Sequence, residues 1–244
     1  MATPNSLEPM LYCLLWRSNE TMIHINKNPE PRSWKEYRKT PGVNYQANDD
    51  LVDALKKEQG YLCAYCMRRI PCKDILYQKD GKDIITKEGH RVEHILSRDN
   101  HSDKELDYSN MVICCPGHIG AEKHCDRLKD SNDITFSPLD IRFINTIKYK
   151  PTGEIESSNS LWNSEMNNIL NLNTPLLVKN RAETLLGVIQ MINAKSKGWK
   201  RSVLEKYLEK YSKMHEADDK EWKYYPYCGI IIHYIQKKLK KIDL

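Results

Sequence analysis

Phenylalanine is almost missing from this chain: two of its 244 residues carry that ring, against 14 tyrosines and five tryptophans. Aromatic area therefore sits mostly in side chains with a polar end, which suits wet surfaces and partner contacts better than a thick apolar core. Long hydrophobic runs are missing too. No stretch approaches the roughly 20 apolar residues needed to cross a bilayer. Met10–Trp16 is short and follows Glu8 rather than a basic segment, so it does not read as a secretion signal. A soluble, cytoplasmic protein is expected. No G-x-x-x-x-G-K-S/T loop occurs, so any nucleotide dependence must come from another chain. Internal repeats are absent as well.

A strong excess of one charge sign is also lacking. Lys and Arg number 38 against 33 Asp and Glu, for a net charge of +5 and a pI near 8.6. That mild basicity is compatible with a nucleic-acid partner but equally ordinary among soluble proteins. Cysteine, in contrast, is plentiful, with eight residues. Without an export signal, thiols in a reducing compartment point to metal before disulfide.

Three regions follow from the pattern along the chain. Residues 1–47 form an irregular N-terminal extension and docking arm. Its first 21 residues lack a period or cap, with Met22 an alternative start. Pro29, Pro31 and Pro41 then oppose continuous helix, and Trp34 and Tyr37 pin the arm to the body. Residues 48–135 hold the chemistry. Asn48–Gln59 predicts a helix, with Asn48 or Asp49 as cap, an apolar stripe of Leu51, Val52 and Leu55, and Gly60 as the stop. A hairpin is expected between Pro71 and Val92, turning at Asp80-Gly81. Residues 136–244 read as a helical scaffold and partner-docking region. Its helices are Arg181–Ala194 (Ala182, Leu185, Leu186, Ile189 and Ile192 on one face), Trp199–Met214 (Val203, Leu204, Tyr207, Leu208, Tyr211) and Tyr227–Leu239 (Ile230, Ile231, Tyr234, Ile235). Lys237, Lys238, Lys240 and Lys241 form a tail at the C-terminus of the last of these, where cations suit the helix dipole.

The strongest local signal is Cys63-Ala-Tyr-Cys66, two thiolates spaced to share one tetrahedral Zn²⁺. A second pair must come from Cys114-Cys115-Pro-Gly-His118 or His124-Cys125. The preferred ligand set is Cys63, Cys66, Cys115 and Cys125, with Cys114, His118 or His124 as replacements; Cys13, Cys72 and Cys228 read as ordinary small residues. Between the pairs lie Arg91-Val-Glu93-His94-Ile and Leu106-Asp-Tyr-Ser-Asn110-Met-Val, and Cys125-Asp126-Arg-Leu-Lys129 follows. Taken singly, Glu93 reads as a surface charge, Asn110 as a turn former and Asp126 as a helix cap. Their order between the cysteine pairs is what argues for a site.

Over about Tyr61 to Lys129 this pattern resembles the HNH endonuclease family. The resemblance implies an α+β fold: a small ββα-metal core with a structural zinc knuckle, embedded in a mainly α-helical scaffold. It implies His94 as general base, Glu93 and Asp126 as ligands of a catalytic Mg²⁺ or Mn²⁺, and Asn110 as the residue that holds the loop and orients His94. Arg91, Arg98, Arg127 and Lys129 surround the motif as candidate phosphate contacts, with Arg68 and Arg69 nearby. The segment Lys27-Asn-Pro-Glu-Pro-Arg-Ser-Trp34-Lys-Glu-Tyr37, together with the knuckle and the His124-Cys125-Asp126 finish, is similar to one branch, the PtuB-like HNH proteins of Septu and retron-associated anti-phage systems. That similarity implies a PtuA-like ATPase of the ABC/SMC class as partner, with a retron reverse transcriptase and its msDNA as further associates, and a nucleic-acid substrate. The chemistry needs no 2′-hydroxyl, which puts DNA first and leaves RNA, tRNA included, open. Two other readings are weighed. A zinc deaminase would place H-x-E before P-C-x-x-C, the reverse of this order. A catalytically silent zinc module, binding nucleic acid or scaffolding an ATPase, shares the same metal geometry.

Overall fold

The computed structural model describes residues 21–71, 75–79, 82–86, 89–119, 122–195 and 199–242. Cys13, Cys72, the Asp80-Gly81 turn and residues 1–20 of the expected N-terminal extension lie outside them. The arm that follows is less irregular than its prolines suggest. Pro31 stands just ahead of a six-residue helix, α1 (Arg32–Tyr37), where its missing N–H removes no intrahelical hydrogen bond. Trp34 is fully buried on this helix, with its ring stacked on Tyr37 at 5.4 Å between centroids. A second pin is ionic. The Lys27 ammonium meets the buried Glu58 carboxylate, whose other oxygen takes the Tyr108 hydroxyl at 2.8 Å.

Helix α2 (Asp49–Glu58) forms where predicted, with the Asn48 side chain accepting from the Leu51 amide at 2.9 Å. Leu51 and Leu55 are fully buried, and the helix ends at Gly60, whose φ of +54° suits a residue without Cβ. Gln59 then does what a strand would do. Its side-chain amide donates to the Ile113 carbonyl at 2.8 Å and accepts from the Ile113 amide at 2.7 Å, closing one edge of the central strand.

That strand is β4 (Met111–Cys114), buried throughout. Upstream, β1 (Ile75–Lys79) and β2 (Lys82–Thr86) form the expected hairpin, with Lys79 opposite Lys82. β3 (Arg91–His94) pairs antiparallel with β4 so that Glu93 faces Val112 and His94 faces Met111. A two-residue pair, β5 (His118–Ile119) with β6 (Glu122–Lys123), leads to a single-turn helix, α3 (Asp126–Lys129). After it come α4 (Ile141–Ile144), the antiparallel pair β7 (Ile147–Tyr149) and β8 (Ile155–Ser157), and helices α5 (Ser160–Asn168) and α6 (Pro175–Lys195). α7 (Arg201–Ser212), the pair β9 (His215–Glu216) and β10 (Trp222–Lys223), and α8 (Cys228–Ile242) complete the chain. Among the described residues the fold is thus α+β, with eight helices and five two-stranded antiparallel sheets.

The C-terminal helices differ from expectation in one face. α6 starts six residues earlier than predicted and buries Leu177, Arg181, Leu185, Val188 and Ile192, leaving Leu186 half-exposed on the outside. Arg181 takes an inner position because Gly153 (φ +98°) brings its carbonyl to the Arg181 Nε at 2.5 Å, while Nη2 donates to the Leu172 carbonyl at 2.7 Å. α7 and α8 pack together through Leu204, Tyr207 and Tyr211 on one side and the isoleucine stripe of α8 on the other. Cys228 is fully buried at the start of α8, as an ordinary core residue would be. No helix among the described residues is long and apolar enough to cross a membrane.

Candidate metal centre and the adjoining carboxylate–histidine cluster

Four sulfurs converge below β4. The Sγ atoms of Cys63, Cys66, Cys115 and Cys125 all lie within 4.8 Å of one another and all four residues are buried. The Cys63–Cys125 and Cys66–Cys115 separations are both 3.8 Å. Two Zn–S bonds of about 2.3 Å at the tetrahedral angle span about 3.8 Å, whereas a disulfide requires about 2.05 Å. The geometry therefore fits four thiolates around one ion, and this buried group can hold a metal such as zinc. It is also the set preferred from spacing.

Local structure explains the convergence. Cys63 and Cys66 sit in a tight turn in which the Met67 amide bonds the Cys63 carbonyl at 3.0 Å, and the Ala64 amide ties that turn to the Ile113 carbonyl at 3.1 Å. Cys115 follows β4 directly. Gly117, at φ +74°, then reverses the chain so closely that a Cβ would meet the Arg127 Cβ at 2.4 Å, and Cys125 enters α3 with a positive φ of 54°. Hydrogen bonds from Cys114, Cys115, Cys125 and Cys66 overcome burial and hold the Cys63 thiol well below its ordinary pKa, while burial and neighbouring sulfurs push Cys125 up.

The alternatives fall outside the four-sulfur group. Cys114 is buried beside Cys63 on β4. His124 points Nδ1 at the Cys125 sulfur at 3.2 Å and the Cys115 sulfur at 3.8 Å, which places it behind the ligands as a hydrogen-bond partner. His118 Nδ1 meets the Arg127 guanidinium at 3.0 Å.

A second cluster adjoins this one through the knuckle itself. The Tyr65 hydroxyl donates to Glu93 Oε1 at 2.8 Å. Lys129 Nζ stands 3.0 Å from the same oxygen and donates to the His94 carbonyl at 3.1 Å. Asp126 lies beside Glu93, and its own carboxylate is paired with Arg91. Burial, then the Asp126 carboxyl, push Glu93 well above the ordinary carboxylate range, with Lys129 opposing them.

His94 follows Glu93 at the end of β3. Its Nε2 is 2.9 Å from the Glu105 carbonyl, an acceptor, so Nε2 carries the proton and Nδ1 the lone pair. Burial pulls its pKa down to about 4, which keeps the ring neutral at neutral pH. Asn110 organises the loop that presents Glu105: its Oδ1 accepts from the Leu96 amide at 2.9 Å, and its Nδ2 donates to the Leu96 carbonyl at 3.0 Å and the Lys104 carbonyl at 3.3 Å. Tyr45 covers the imidazole edge-to-face at 4.6 Å, with the exposed Arg98 guanidinium 4.9 Å above the tyrosine ring.

The structure thus brings Glu93, His94, Asn110 and Asp126 together. Of the four residues expected on a nucleic-acid face, Arg91, Arg98 and Arg127 are exposed, Arg91 while paired with Asp126. Lys129 is a correction: its side chain is wholly buried against Glu93, because a carboxylate inside needs a cation beside it, and no phosphate can reach it. Arg69 is likewise structural, donating to the Gly60 carbonyl at 3.2 Å. Tyr65, Tyr45 and Glu105 were not anticipated. Tyr65 alone carried a signal, its place inside the Cys-x-x-Cys turn.

No family model matches the chain, and no curated protein matches it.

Proposed function

We propose that this chain is a metal-dependent HNH endonuclease that hydrolyses phosphodiester bonds in nucleic acid, and that it is the effector subunit of an anti-phage complex with a PtuA-like ATPase. The observation that carries the reading is the state of His94. Its Nε2 proton is committed to the Glu105 carbonyl, and its Nδ1 lone pair is free of a proton at neutral pH, which is the form a general base must have. Asn110 fixes the loop on which that carbonyl sits. Arg98 and Arg127 offer exposed positive charge on the same module for a backbone of phosphates.

Glu93 and Asp126, adjacent and 3% and 7% exposed, would hold Mg²⁺ or Mn²⁺ through their oxygens in place of their present partners Lys129 and Arg91, oxygen being the ligand such hard cations take. Such an ion supplies Lewis acidity toward the phosphate. The defence role and the ATPase partner rest on the resemblance of the motifs, DNA being the first substrate to test and tRNA the second.

One observation favours the silent zinc module. Both carboxylates already have cationic partners, Glu93 in Lys129 and Asp126 in Arg91, an arrangement that is stable without a divalent ion. A single experiment separates the two readings. The purified chain, alone and with a PtuA-like ATPase, is incubated with plasmid DNA or total RNA and Mg²⁺ or Mn²⁺. Cleavage lost in His94→Ala with bound zinc unchanged supports the nuclease; no cleavage under any of these conditions leaves the silent module.

A further inference from the structure

Next to the carboxylate–histidine cluster, a cleft of about 540 Å³ opens between the loop that follows His94 and the segment that follows α3. One wall is Leu96 and Asn110, and the facing wall is Phe136 and Trp162. We infer that this cleft receives an unpaired nucleobase, so that the substrate is a nucleic acid in which one nucleotide beside the scissile phosphate is single-stranded or turned out of the stack.

Three features point to a base rather than to phosphate. First, this facing wall is aromatic and held in place: Phe136 stacks on Phe143 at 3.9 Å, and Trp162 meets both rings at steep angles, 6.5 and 5.9 Å away. Trp162 remains only partly buried, which leaves indole surface for a further ring, and stacking on aromatic side chains is the sequence-tolerant way to hold a base. Second, the cleft is electrically balanced. Its two cations each have an acid alongside, Arg142 with Asp140 at 2.7 Å and Lys104 with Asp107 at 4.0 Å. A phosphate subsite would show unbalanced positive charge, whereas donors and acceptors side by side match the mixed edge of a base. Third, the position is right. Leu96 is two residues beyond His94, and Asn110 both lines the cleft and clamps the loop that sets the His94 ring. A volume of this size accommodates a nucleotide, within the range of small-molecule sites.

The inference rests on the nuclease reading for its location but is tested by binding alone. In the His94→Ala background, a short single-stranded oligonucleotide of mixed sequence, in deoxy and ribo forms, is titrated by fluorescence anisotropy, and an abasic residue is then moved along it position by position. At one position the abasic change should weaken binding at least about fivefold. That loss should vanish in Trp162→Ala and persist in Trp162→Phe. Oligonucleotides carrying a photoreactive base provide a measurement that needs no substitution at Trp162: the cross-link should map to the peptide containing Trp162 or Phe136. Equal binding at every abasic position, an abasic loss unchanged in Trp162→Ala, or cross-links confined to other peptides overturns the base site while leaving the nuclease reading standing. Absence of binding to any oligonucleotide, with a PtuA-like ATPase present as well as without it, overturns both.

Discussion

Glu93 is held by three neighbours drawn from distant parts of the chain, and one of them belongs to the cysteine turn. Glu93 Oε1 accepts from the Tyr65 hydroxyl at 2.8 Å and lies 3.0 Å from Lys129 Nζ. Because Tyr65 is buried among the knuckle residues, it makes the metal centre and the carboxylate parts of one rigid unit. Tyr65→Phe keeps the ring and removes only the donor. It should cost about 1–2 kcal/mol, since the buried carboxylate keeps Lys129 and loses a single charge-assisted bond. Urea denaturation of the two proteins measures this directly, and an unchanged midpoint would mean that water or Lys129 fully replaces the hydroxyl. The same substitution should leave bound metal unchanged, because Tyr65 supplies no sulfur.

At the scale of elements, helices with both a cap and a period were legible in the sequence and short strands were not. α2 combines an Asx cap, two acidic residues in its first turn and buried Leu51 and Leu55, so each local preference agrees with the tertiary role. Asn48→Ala should therefore destabilise the chain by about 1 kcal/mol, with Asn48→Asp close to neutral, as thermal melting of the three proteins would show. If the alanine variant melts with the parent, the Leu51 amide finds water as easily as it finds Asn48. Strands β7 to β10 have two or three residues each, too few alternations to register against the background of loops. The inner face of α6 was misread for another reason: a buried arginine, Arg181, stands on it, and composition alone would place arginine outside. The site divides along the same line. Cysteine spacing could be read directly, because scarce residue types at fixed offsets carry information, whereas Glu93, His94, Asn110 and Asp126 were singled out by the resemblance of their order to a known family. Tyr45, whose amide meets the Glu105 carboxylate at 2.5 Å, could not. It is a common residue type reaching its partner across 60 positions, and only the folded chain shows the contact.

The whole molecule is organised around one junction. Cys63 and Cys66 precede β3, Cys115 follows β4, and Cys125 opens α3, so an ion bound by all four ties the helix–knuckle segment, the strand pair and the last helix of the module at a single point. Structural zinc in small domains contributes roughly 10–16 kcal/mol of apparent binding energy, comparable with the roughly 5–15 kcal/mol by which whole domains are stable. Without the ion, four buried sulfurs within 4.8 Å of one another would have to pack as thiols at the spacing of a tetrahedral metal site. Elemental analysis should accordingly find one zinc per chain. Cys63→Ser or Cys125→Ser should lose it together with the cooperative melting transition, and Cys114→Ser should retain both, since Cys114 stands outside the four. Stripping the metal with a strong chelator in mild denaturant, then returning Zn²⁺, should abolish and restore the transition in the same sample. A metal-free chain that melts at the temperature of the parent would show instead that the four cysteines are core residues, and that β3, β4 and α3 are held by the buried side chains around them without an ion at their junction.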